Sequence, residues 1–123
     1  MKDLLLFTNK KMKLEDCFTE IKNKFNNAKE NGNGIIVENK NRIYLTFGDE
    51  RIQNSFDSDT EELQAKVPIF NAFIAHLEVY RLTDAKKIVT ILIKLYPDLF
   101  INLDDFIDWF GSAEDFISTD FSI

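Results

Sequence analysis

Ile69-Phe70-Asn71-Ala72-Phe73-Ile74-Ala75-His76-Leu77-Glu78-Val79-Tyr80-Arg81-Leu82 is the stretch on which the fold turns. Read as a helix, it places Phe70, Phe73, Ile74, Leu77 and Tyr80 at helical spacing. Read as a strand, it lines Phe73, Ala75, Leu77 and Val79 along one face and sets Phe70, Ile74 and Tyr80 beside Ala72, His76 and Glu78 on the other. Both templates match. The strand is preferred because Val, Ile, Tyr and Phe are frequent in the segment and because a separate helix starts directly after it.

That next helix is expected from Thr83, a plausible N-cap, through Asp84 in its first turn to Tyr96, with Pro97 ending it. Ile88, Val89, Ile91, Leu92, Ile93 and Leu95 leave only a narrow polar stripe of Lys86, Lys87, Thr90 and Lys94, so most of its circumference must be buried. Beyond it, Leu99 to Asn102 suggest a last short strand. Leu103 to Phe110 and Ser112 to Ile117 read as two short helices separated by Gly111, the second opened by a capping box of Ser112 and Asp115.

Upstream, Leu4 to Thr8 read as a buried strand. From Lys13 to Glu30, Leu14, Cys17, Phe18, Ile21, Phe25 and Ala28 recur at helical spacing, and Asn31-Gly32-Asn33-Gly34 turns the chain. Ile35–Glu38 and Arg42–Phe47, flanking Asn39-Lys40-Asn41, form a hairpin pattern. Gly48 to Thr60 is polar and acidic and reads as a surface loop; Thr60 to Lys66 reads as a short helix closed by Val67-Pro68. The string β-α-β-β-(α)-β-α-β-α-α predicts an α+β fold over residues 1–123, one domain with a mainly antiparallel sheet and helices packed on it.

At 123 residues the chain is long enough to bury a core without disulfides or metals. Its single cysteine, Cys17, falls on an apolar helix face, which points to a reducing compartment and favours the cytoplasm. The Leu4-Leu5-Leu6-Phe7 run is too short for a secretory signal core, and no apolar run approaches bilayer length, so no membrane role is expected.

Charge is unevenly placed. Residues 1–31 hold seven lysines against five acids, whereas residues 49–62 hold six acids against Arg51. The last 29 residues hold seven carboxylates and no lysine or arginine, among seven of the sixteen aromatic residues. Acidic blocks repel phosphates, so direct nucleic-acid binding is disfavoured and a basic protein partner is favoured.

Catalytic chemistry finds little to work with. One histidine and one cysteine, His76 and Cys17, stand far apart in sequence, and the glycines at 32, 34, 48 and 111 make no phosphate-binding pattern. Two such ligands cannot build a zinc site of the usual Cys/His spacing. Asp57-x-Asp59-x-Glu61 begins like a calcium loop but has Glu62 where glycine is needed and Pro68 where the closing glutamate belongs. The expectation is therefore no enzyme, no catalytic residue, no cofactor and no metal. His76 is expected to be a partly buried, hydrogen-bonded structural residue.

The predicted helix Leu103–Phe110 would place Leu103, Phe106, Ile107 and Phe110 on one face, turn Asp104, Asp105 and Asp108 away, and leave Trp109 at the edge beside the acids. Trp109 with Asp104, Asp105 and Asp108 is thus the expected partner-binding group, joined by Asp57, Asp59, Glu61 and Glu62 if the two acidic blocks converge. The bland alternative, Trp109 completing the core and the acids keeping a small helix solvated, remains open.

The segment Glu78-Val79-Tyr80-Arg81-Leu82-Thr83-Asp84-Ala85-Lys86-Lys87-Ile88, followed by Leu95-Tyr96-Pro97-Asp98, resembles the strand-helix-strand end of the small immunity proteins of bacterial polymorphic-toxin and contact-dependent inhibition systems. That resemblance implies stoichiometric inhibition of a cognate toxin domain, often a nuclease, by covering or distorting its active site. A regulatory or adaptor domain of a phage or mobile element that binds a host protein is the alternative.

Overall fold

The computed structural model describes residues 1–38, 40–58, 63–69, 71–104 and 108–121, apart from the side chains of 55–58, 63 and 64. In chain order the elements are β1 (Lys2–Thr8), α1 (Leu14–Lys24), β2 (Ala28–Asn31), β3 (Gly34–Val37), β4 (Ile43–Phe47), α2 (Glu50–Ser58), α3 (Leu63–Lys66), β5 (Phe73–Val79), α4 (Leu82–Leu95), β6 (Phe100–Asp104), β7 (Trp109–Ser112) and α5 (Ala113–Ser118). The strands form one seven-stranded sheet in the order β2-β3-β4-β5-β1-β6-β7, antiparallel at every pairing. The fold is α+β, as the pattern predicts.

The stretch around His76 is a strand because it has a partner on each side. β5 pairs with β4 and with β1, so its backbone groups are satisfied across its length while Ala75, Leu77 and Val79 enter the core. β5, α4 and β6 form a split β-α-β unit: β1 lies between the two strands, antiparallel to both.

The inner face of the sheet receives Leu4 and Leu6 from β1, Ile43, Leu45 and Phe47 from β4, and Ile101 and Leu103 from β6. These pack with Cys17 and Ile21 of α1, Ile88 and Leu92 of α4, and Phe116 of α5. The outer face has three transverse rows set by the register. Ile74, Phe7, Phe100 and Ser112 make the first; Phe7 and Ile74 are buried with Val67 and Ala72, and Ile52 of α2 and Ile69 pack against them. Thr46, His76, Leu5, Asn102 and Phe110 make the second. Tyr44, Glu78, Asp3 and Asp104 make the third, at the opposite end from α2.

Several elements differ from the sequence expectation. The first helix stops at Lys24, and Ala28–Asn31 instead pairs with β3 through a tight hairpin whose Gly32 has φ +57°. A glycine at the first central position of a two-residue hairpin turn supplies that conformation without strain. Glu50–Ser58 is helical where a loop is expected. Asp49 Oδ1 accepts from the backbone amides of Arg51 and Ile52 at 3.0 and 3.4 Å, which caps the helix start. The Gln53 side chain then holds α2 to the sheet, donating to Ala72 O at 2.9 Å and accepting from Ile74 N at 3.2 Å.

Thr83 is not a cap: α4 starts at Leu82, with Arg81 at the cap position and no side-chain cap bond. Of the expected helix Thr60–Lys66, Leu63–Lys66 is helical, and Thr60, Glu61 and Glu62 lie outside the described residues. Ser112 does cap α5, its Oγ accepting from Asp115 N at 3.1 Å. Among the described residues no helix is long and apolar enough to cross a membrane.

Candidate functional site

The expected acidic helix Leu103–Phe110 does not form. Its first part is the end of β6 and its last part the start of β7, with Leu103 paired to Trp109 and to Leu4. A helix of two turns is marginal in water, whereas the strand pairing buries Ile101 and Leu103 in the ladder beside β1. Asp105 lies outside the described residues, as do Asp59, Glu61 and Glu62. Asp57 lies in α2, and its side chain is likewise outside them.

Trp109 faces the inner side of the sheet. Its ring lies 5.7 Å from that of Phe116 and 5.5 Å, edge to face, from that of Phe121, and it covers Gly111 two residues along the same strand. A Cβ at position 111 would meet the indole at 2.4 Å, so the glycine is what lets the indole lie flat over the edge strand. On the other side of the strand, Lys66 of α3 stands over the Phe110 ring at 5.1 Å. Trp109 therefore belongs to an aromatic cluster with α5 rather than to the acids.

Asp104 and Asp108 are exposed. Asp104 is opposite Asp3 of β1, and Asp3 is opposite Glu78 of β5. Three carboxylates thus stand side by side across β6, β1 and β5 on the outer face, a placement normally destabilising between strands. Among the described residues no lysine or arginine forms an ion pair with any of the three.

The basic side chain in contact with the row is His76. It sits two residues before Glu78 on β5, its Nε2 3.0 Å from Asp3 Oδ1 and its Nδ1 3.6 Å from Glu78 Oε1. Donor atoms of Asp3, His76 and Glu78 all lie within 4.8 Å of one another. His76 is the partly buried, hydrogen-bonded residue the sequence suggests, but its partners come from cross-strand register that the sequence does not display.

Beside the row stand Tyr44, opposite Glu78, and Tyr80, which is 54% exposed at the end of β5. Arg42 donates to Tyr44 Oη at 3.5 Å, and that bond, with the charges of Tyr44 and Glu38, raises its pKa further. At the far end of the sheet a shallow cleft is lined by Asn9, Lys11, Glu50, Gln53, Asn54 and Asn71. Cys17 is buried, its thiol pushed up to about 11 chiefly by loss of solvent, and its sulfur lies 4.0 Å from Tyr96 Oη. A thiol held so firmly protonated is a poor nucleophile.

No protein-family model, curated protein or solved structure matches the chain.

Proposed function

We propose that the protein is a non-enzymatic binding domain of the inhibitor or immunity type, which engages a basic protein domain, such as a nuclease toxin, with the acidic end of its outer sheet face. The carrying observation is the row Glu78–Asp3–Asp104, held in register with no lysine or arginine ion pair among the described residues. A fold that aligns three carboxylates across neighbouring strands bears a repulsion that an approaching cationic surface relieves. A nuclease must be basic to hold phosphates, so an acidic inhibitor gains both steering and selectivity against it. Asp108 extends the patch, and Tyr80 and Tyr44 supply the aromatic contacts at its other end. In this reading the domain works in the cytoplasm and Trp109 stiffens the edge from behind.

Affinity capture from the native cell at low and high salt tests the reading, comparing wild type with a variant carrying both Asp3→Lys and Asp104→Lys. A basic protein held by wild type at low salt, and released by high salt and by the variant, supports it. Equal retention by the folded variant removes the outer face as the interface.

A further inference from the structure

We propose that Asp3, His76 and Glu78 form a binding site for a divalent transition ion, Zn²⁺ fitting best. This stands on the free protein and does not depend on the partner. The sequence excludes a zinc site of Cys/His spacing, but the sheet register builds a mixed one from residues that lie far apart in the chain.

Asp3 and Glu78 are directly opposed on β1 and β5, and His76 is on the same outer face one pleat further along β5, diagonal to Asp3. One imidazole and two carboxylates make a three-ligand set of the kind zinc accepts while keeping a fourth position for water or another ligand. The imidazole argues against Ca²⁺ and Mg²⁺, which take oxygen ligands, and for the later transition ions.

Zinc bonds of about 2.0–2.1 Å put tetrahedral ligands roughly 3.3 Å apart. Nε2 of His76 and Oδ1 of Asp3 are already at 3.0 Å, and the whole donor set spans no more than 4.8 Å. Asp3 faces Nε2 and Glu78 faces Nδ1, so an ion on Nε2 draws the Glu78 carboxylate away from the Nδ1 side; the Glu78 side chain is 35% exposed and the Asp3 side chain 51%, which leaves both carboxylates room to turn.

Charge gives the site its reason. The donor set carries two carboxylates, and Asp104 stands opposite Asp3 on the other flank. A dication here offsets three aligned negative charges that a single imidazole can offset only when protonated. Asp3 and Glu78 are both solvent-exposed in part, so a further ligand can reach an ion held there.

The test is made easy by His76 being the only histidine and Cys17, the only cysteine, being buried. Untagged, metal-stripped protein labelled with ¹⁵N is titrated with Zn²⁺ while the imidazole ring nitrogens are observed, and with Co²⁺ while visible absorption is recorded. The expected result is saturation at one equivalent, a shift of the ring-nitrogen signals, and tetrahedral Co²⁺ bands that Zn²⁺ abolishes. His76→Gln and Glu78→Gln should each weaken Zn²⁺ binding at least about 100-fold, beyond the 10–100-fold cost of losing an outer-sphere partner. Glu114→Gln, on α5, should leave it unchanged. Ring signals that stay put through a molar excess of Zn²⁺, or one-equivalent binding that survives His76→Gln, overturn the proposal. The ring signals of wild type decide it even if a variant fails to fold.

Discussion

Asp3 and Asp104 face each other directly across the β1–β6 ladder, two exposed carboxylates at a position where neighbouring strands ordinarily place an opposite charge or none. Like charges so placed cost stability, and opposite charges gain about 0.2–1 kcal/mol relative to a neutral pair. Asp104→Lys should therefore stabilise the fold by an amount in that range, measured by urea unfolding at low salt. The gain should shrink as salt rises, since both groups are solvated. A destabilised Asp104→Lys would mean that the row is not electrostatically strained.

Gly111 and Trp109 predict a different outcome on the same strand pair. Because the indole lies over Gly111, Gly111→Ala must push the ring out of its place against Phe116 and Phe121. A loss of about 1–3 kcal/mol is expected for such overpacking. Trp109 is the only tryptophan, so its emission reports the displacement directly and should shift to the red in the folded variant. Unchanged emission and stability would show that the indole does not rest on Gly111.

These two pairs also mark how far the sequence could be read. The apolar run Leu4–Phe7, the alternation of Arg42–Phe47 and the β-branched and aromatic content of Ile69–Leu82 pointed to the central strands, and the apolar girth of Ile88–Leu95 to α4. The Ala-Lys-Glu-Asn strand β2 was not legible, because an edge strand with one buried residue needs no apolar pattern. α2 was visible only through Asp49 as a cap and the spacing of Ile52 and Phe56, which a net negative segment obscures. For 103–110 the helical period was a coincidence of two strand ends, decided by pairing with β1. Asp104 and Asp108 could be singled out from local composition. Asp3, His76 and Glu78 could not be grouped, because register between β1 and β5 is set by contacts 73 residues apart in the chain.

Cys17 sets an alkaline limit on the fold. Burial first, and then the charge of Asp16, raise its thiol from 9.0 to about 11 against the lowering effect of the Tyr96 hydroxyl. The folded pKa lies above the unfolded one, so the contribution is complete below pH 9 and is lost as pH rises toward 11. At about 1.4 kcal/mol per unit, the loss should amount to roughly 2–3 kcal/mol across that window. Cys17→Ala should lower stability at pH 7 through its cavity yet show a shallower decline above pH 9. Parallel declines in the two proteins would show that the thiol titrates as freely in the fold as in the unfolded chain.

The association rate with a basic partner gives the sharpest separation of binding from stability. Asp104→Lys with Asp108→Lys removes two exposed negative charges and adds two positive ones, the first directly opposite Asp3. Steering accounts for up to three orders of magnitude between neutral and complementary pairs, so this change should slow association by about tenfold or more and flatten its salt dependence. Tyr80→Ala, by contrast, removes an exposed aromatic without altering charge and should act mainly on dissociation. Urea unfolding of the double variant at the same salt concentrations separates slower association from unfolding. Stopped-flow association at several salt concentrations distinguishes these effects, and wild-type rates in the double variant would place the interface away from the outer sheet face.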